Sequence, residues 1–362
     1  MGVMMTLFAC SRPQTEVSPA EELTARLQAA AGEGIVYYGH QDDLSYGHSW
    51  RVTDWENDDL TRSDVRDVAG MYPAVLGFDL GGIERADSCN LDGVPFGLMR
   101  KATLAHVARG GIVTFSWHVR NPFTGGDAWD VSSAETVASV LEGGEKHALF
   151  MEWLGRTADF LATLTDGNGR AVPVIFRPWH EHTGSWFWWG QKLCTTEEYV
   201  ALWRMTHDFL TKERGLDGLV WAYSPGGGTD AAGYMERYPG DAYVDVLGTD
   251  IYHYSAEGED WASSNRRFIG QVDSALAFMT ELGQAHGKPI ALTETGLESI
   301  PYPTWWTEVL LPALGDHPVC YVLTWRNAWD RETHFYGPWA DAACAEDFRA
   351  FARNGRIRLL SE

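Results

Sequence analysis

Two glutamates stand where apolar runs give way to polar residues. Glu181 follows Val174-Ile-Phe-Arg-Pro-Trp-His180, and Glu294 follows Ile290-Ala-Leu-Thr293. Two carboxyl groups about 5–5.5 Å apart can hydrolyse a glycoside with retention, one as nucleophile and the other as acid/base. The acid must stay protonated near neutral pH, which desolvation by Trp179, Trp186 and Trp188 favours. The nucleophile must stay ionised, which hydrogen bonds from Tyr252 or Arg177 favour. Arg177 suits equally a buried structural pairing with a strand-end carboxylate.

Other chemistries fit less well. His180-Glu181-His182 lacks the His-Glu-x-x-His spacing of a helical zinc site. No metal or other cofactor is therefore expected. Gly226-Gly227-Gly228 has no dinucleotide fingerprint and reads as a flexible loop, and no Gly-x-Ser-x-Gly nucleophile turn occurs. The five cysteines (10, 89, 194, 320, 344) form no Cys-x-x-Cys pair and read mainly as free thiols, with one disulfide left open. His182, Asp250 and His253 lie near the same strand ends and read as backing or loop residues, and Glu298 as a loop acid.

The chain has 362 residues, 28 Lys+Arg against 50 Asp+Glu and a formal charge of −22, which opposes nucleic acid and anionic lipid as partners. Its 17 Trp are more than packing requires. Indole offers a flat apolar face with one donor at its edge, suited to uncharged rings such as sugars or nucleobases. A nucleobase site would want a phosphate-cradling loop or a basic cluster, and neither is present. A sugar-binding barrel without catalysis would lack one of the two glutamates.

These side chains need a scaffold that gathers them. Short apolar runs recur at 35–40, 74–79, 112–118, 172–179, 219–224, 244–252, 289–294 and 320–325, with amphipathic helical stretches between them at 100–108, 145–164, 195–214 and 265–286. Ser18-Pro19-Ala20-Glu21 starts a further helix as a capping box. This alternation predicts one (β/α)8 barrel over residues 20–362, whose working residues sit at the carboxyl ends of the strands. Trp117, Trp179, Trp186, Trp188, Trp189, Trp325 and Trp329 fall at or just past those ends and are expected to form a row of sugar platforms. Residues 1–19 read as a leader remnant and linker. Leu7-Phe8-Ala9-Cys10 has the pattern of a lipoprotein cleavage box, although no Lys or Arg precedes it and the apolar core is short. The expectation is export, with a lipid anchor at Cys10.

The stretch Arg177-Pro-Trp-His-Glu-His-Thr-Gly-Ser-Trp-Phe-Trp-Trp-Gly190 resembles the fourth-strand signature of glycoside hydrolase family 26, whose commonest members are β-mannanases. Gly39-His-Gln-Asp42, Trp117-His118, Gly248-Thr-Asp-Ile-Tyr252, Thr293-Glu-Thr-Gly296 and Thr324-Trp-Arg-Asn327 continue the resemblance in order along most of the chain. The resemblance implies Glu181 as acid/base and Glu294 as nucleophile. It implies Tyr252 as a hydrogen-bond partner of Glu294, and His180 as a contact of the sugar 2-hydroxyl. His118, Trp325 and Arg326 would hold sugars on the non-reducing side, with Trp186, and Trp189 beside it, at the cleavage point. The expected activity is retaining hydrolysis of β-1,4-linked mannan, galactomannan or glucomannan. An exo enzyme releasing mannobiose, a β-1,3-xylanase and a mixed-linkage β-glucanase stay open as alternatives. The segments 121–146 and 43–59 are the expected walls of a closed-off cleft.

Overall fold

A computed structural model describes residues 17–361; the Leu7–Cys10 motif lies outside them. Eight strands form the centre: β1 (Val36–Gln41), β2 (Val75–Asp79), β3 (Ile112–Ser116), β4 (Val174–Arg177), β5 (Leu219–Tyr223), β6 (Val246–Asp250), β7 (Ile290–Thr295) and β8 (Val319–Thr324). Each pairs in parallel with the next, and β8 returns to β1 from Tyr37–Tyr321 to His40–Thr324, closing the barrel. The strands read as unbroken apolar runs because helices cover their outer faces while side chains fill the inside.

The core has two parts. Inside the barrel, Val75, Ile112, Ile175, Val220, Val246, Ala291 and Leu323 pack together. The helix Pro19–Gly32 brings Leu23 and Leu27 into this cluster and so seals the end opposite the strand termini. A larger cluster fills the space between strands and outer helices, and Trp153, Trp203, Trp305 and Trp306 belong to it. The helix starts follow their sequence signals. Ser18 with Glu21 and Thr195 with Glu198 form capping boxes, and Asp260 caps the helix Trp261–His286.

Several boundaries differ from the sequence expectation. β3, β4 and β6 stop at Ser116, Arg177 and Asp250, two residues short of the apolar run in each case. The following residues leave the ladder to build the mouth. Trp179 and Glu181 both have φ of 54°, a left-handed backbone that no strand contains. Within 43–59, Tyr46–Gly47 and Trp50–Arg51 form a small antiparallel pair.

Candidate active site

The turn after β4 sets the geometry. The Glu181 amide donates to the Ser224 carbonyl across the β4–β5 gap at 2.8 Å, and the Glu181 carbonyl accepts from Gly184 at 2.9 Å. Left-handed backbone at a bulky residue is strained and persists only when its surroundings over-determine it. Here they do: Trp179 is fully buried, and its carbonyl accepts from Tyr199 Oη at 2.8 Å. The turn also separates the two flanking histidines. His180 faces the cleft, whereas His182 packs behind it against Tyr199 and Tyr223. Burial, with Arg237 nearby, pushes His182 down to about 3, so it stays neutral.

Glu294 on β7 is buried and held from two sides. Arg177 donates through Nη2 to Glu294 Oε1 and through Nη1 to Asp250 Oδ2 at 2.7 Å. Tyr252 Oη donates to Glu294 Oε2 at 2.8 Å. Asp250 also accepts from Ser224 Oγ at 2.8 Å and Thr293 Oγ1 at 2.7 Å. Asp250 is thus the buried partner that holds Arg177 in place. One carboxylate oxygen from each of Glu181, Asp250 and Glu294 lies within 4.8 Å of the others. Such a carboxylate group can attract a cation, and the Arg177 guanidinium, bonded to two of the three, supplies that charge.

The two glutamates differ electrostatically. Desolvation, then the neighbouring Glu294 charge, pushes Glu181 up to about 7; a 2.7 Å hydrogen bond from Trp186 Nε1 works against the rise. Glu294 has direct donors on both oxygens, Arg177 on one and Tyr252 on the other. Burial drives Tyr252 well above the ordinary phenol range, with the Glu294 charge next, so its hydroxyl remains a donor. Glu181 can therefore present a carboxylic acid near neutral pH, opposite the Glu294 side chain held by Arg177 and Tyr252.

On the far side of the mouth, His118 stands between Asp79 and His180. His118 Nδ1 lies 2.7 Å from Asp79 Oδ2, and its Nε2 is 3.2 Å from His180 Nε2. Burial alone would lower the His118 pKa, but the Asp79 carboxylate outweighs it and the net shift is upward. Burial and the Arg177 charge hold His180 well below the usual imidazole range, and His180 Nδ1 is buried without a partner. Trp325 meets His118 edge-on at 6.4 Å. Arg326 pairs with Asp92 at 3.1 Å and donates to Tyr46 Oη at 3.3 Å.

The row of tryptophan platforms needs correction. Trp117, Trp179, Trp188 and Trp189 are fully buried. Trp189 is therefore a packing residue: it donates to the His180 carbonyl at 2.8 Å and stacks on Phe187. Trp329 carries the Arg51 guanidinium over its ring at 4.0 Å. Trp186 does face the cleft, 47 % exposed. Sequence reasoning missed Trp129 (47 % exposed), which stacks on His118, and Tyr254 (67 % exposed), which leans on Tyr252. It also missed Leu91 and Asp92, on the loop after β2. A tryptophan amid Gly125-Gly126-Asp127 was a usable hint for Trp129; nothing in the sequence marked the others. From Glu181 and Trp186 a cavity of about 490 Å³ runs over Gly226–Gly228 to Tyr252 and Tyr254. Gly226–Gly228 is a loop, as expected, and a Cβ on Gly227 would come within 2.7 Å of Ile251, so this glycine floor packs closely at that one position.

A closed parallel barrel with an acid and a carboxylate facing one another across an aromatic-rimmed mouth is the architecture of a glycoside hydrolase. The chain belongs to glycosyl hydrolase family 26, whose sequence profile matches residues 18–308. It is similar to a β-mannanase of that family from Bacteroides ovatus, with 47 % identity, 94 % of this chain and 95 % of that one covered, and a TM-score of 0.88. A modular endo-β-1,4-mannanase from Cellulomonas fimi superposes with a TM-score of 0.81 at 32 % identity, covering 95 % of this chain and 77 % of that one. A mannan endo-1,4-β-mannosidase from Bifidobacterium adolescentis is 31 % identical over 88 % of this chain, which spans only 33 % of that protein's length.

Proposed function

We propose that this chain hydrolyses β-1,4-mannosidic bonds by double displacement. The observation that carries the reading is the carboxyl pair, with oxygens within 4.8 Å, one group raised to about 7 and the other held by Arg177 and Tyr252. Glu181 gives its proton to the glycosidic oxygen as the Glu294 carboxylate attacks C1, forming a glycosyl ester and releasing the leaving chain. Glu181, now ionised, takes a proton from water, whose oxygen attacks C1 and frees Glu294. Trp186 and the glycine floor line the leaving-group side. His118, Trp325 and Arg326 line the other, and His180 turns its Nε2 toward the same side, 3.2 Å from His118 Nε2.

The test compares two substrates for Glu181→Ala. Aryl β-mannosides with good leaving groups need no acid for glycosylation, so that step should survive far better than on mannan. Equal loss on both substrates would remove Glu181 from the role.

One observation favours release of mannobiose from chain ends. The loop after β2 carries Asp92 across to Arg326, where the carboxylate is 4 % exposed and Oδ2 has no partner, and it leaves Leu91 45 % exposed at the rim. That wall shortens the non-reducing side of the cleft. The Leu7–Cys10 pattern supports export with a lipid anchor at Cys10, testable by mass spectrometry of the mature N-terminus.

A further inference from the structure

A second cavity, of about 350 Å³, opens beside His118 between the loops after β2 and β3. We infer that it receives a single-sugar branch on the mannan backbone, such as a galactosyl unit; this rests on the mannanase reading above. Its position is lateral. The leaving-group side lies over the loops after β4 to β6, and the opposite end is closed where Asp92 meets Arg326. A backbone following that line passes His118 and leaves the side cavity for a substituent.

The cavity is built open. Gly82 has φ of 103°, a conformation that excludes ordinary side chains. A Cβ on Gly81 would lie 2.6 Å from Leu91 and 2.8 Å from the His118 carbonyl, so only glycine lets the two loops pack this closely along the cavity wall. Asn90 fixes the loop beneath: its Nδ2 donates to the Asp79 carbonyl at 2.9 Å, and its Oδ1 accepts from the Asp92 and Val94 amides. On the opposite wall Trp129 lies nearly parallel to His118, with planes 16° apart and centroids 5.0 Å apart, while much of its indole stays exposed. Its turn is pinned, for Asn121 Nδ2 donates to the Asp130 carbonyl at 2.8 Å and Thr124 to the Asp130 carboxylate at 2.6 Å.

The lining defines the ligand class. An open aromatic face suits the apolar side of a pyranose ring, and Asp87, Asp127 and Arg120 offer acceptors and donors for hydroxyls. Two carboxylates against one guanidinium disfavour an acidic sugar. A neutral hexosyl branch meets all three conditions.

Cys89, a half-buried free thiol on the cavity wall, provides a readout on the otherwise unaltered site. The full chain carrying Glu181→Gln, which slows turnover, would be treated with iodoacetamide alone, with mannopentaose, and with mannopentaoses bearing one galactosyl unit at successive positions. Alkylation of Cys89 and of Cys194 would be followed by peptide mass spectrometry, Cys194 serving as the internal reference. At least one branched compound should slow Cys89 labelling selectively where linear mannopentaose does not. In the otherwise unaltered enzyme, Trp129→Ala should lower kcat/KM for that compound relative to the linear one by about three- to tenfold, the size of one lost aromatic contact. Equal protection by the linear sugar, no protection by any branched one, or an unchanged ratio in Trp129→Ala would overturn the inference. If the enzyme cleaves linear mannopentaose in each of those cases, the mannanase reading survives. If it cleaves neither sugar, the mannanase reading itself fails, and this inference with it.

Discussion

At the scale of single residues, the working contrast lies between Glu181 and Glu294. Glu181 is raised by burial and by the charge opposite, so kcat/KM should fall on the alkaline side as pH passes about 7. The Trp186 indole donor stabilises the ionised form, so Trp186→Phe should move that limb to higher pH in a pH–rate profile. A shift to lower pH would contradict the assigned hydrogen bond. The same elevation has a stability consequence. A carboxyl group raised in the folded state gives its full contribution below the ordinary carboxylate range and loses it as pH rises through about 7. Glu181→Gln should therefore gain Tm relative to the parent between pH 5 and pH 8, as followed by calorimetry. Arg177 works in the opposite sense. Arg177→Met leaves Asp250 and Glu294 buried without their cation, and should cost roughly 3–5 kcal/mol of stability, readable by denaturant titration. The glutamates were legible because each closes an apolar run. The burial of Trp189 was not, because four aromatic residues in succession, Trp186 to Trp189, share one turn, and only the backbone path decides which of them meets solvent.

At the scale of elements, the barrel strands position the machinery and the loops set its limits. All eight strands were readable from β-branched and aromatic runs, since parallel strands covered on both faces must be apolar throughout. Their ends were read about two residues too long at β3, β4 and β6, because residues such as His118 and Tyr252 continue the polar-aromatic pattern after leaving the ladder. The walls of the cleft were assigned to 43–59 and 121–146. The first contributes Tyr46, which bonds Arg326, and the second contributes Trp129. The decisive crossing, Leu91–Asp92, comes from the loop after β2, whose reach depends on the turn organised by Asn90. If that crossing restricts the enzyme to chain ends, Asp92→Ala should lengthen the early products from mannohexaose beyond mannobiose. Product chromatography gives the answer, and an unchanged mannobiose pattern would free the loop from that role.

At the scale of the molecule, one barrel is sealed at one end and open for chemistry at the other. Leu27, fully buried, comes from the helix Pro19–Gly32 that closes the far end. Leu27→Ala should cost about 2–5 kcal/mol of stability and leave kcat near that of the parent at low temperature, since the cavity lies far from the mouth. The charge of −22 belongs to this scale as well, setting the whole surface against polyanions and leaving a neutral polysaccharide unopposed. The central claim joins substrate and mechanism, and one measurement addresses both: proton NMR of mannopentaose during the first minutes of hydrolysis, before mutarotation. Double displacement through Glu294 predicts that newly formed reducing ends appear as the β-anomer and convert afterwards to the equilibrium mixture. First appearance of the α-anomer, or no cleavage of this β-1,4-linked chain, would contradict the account.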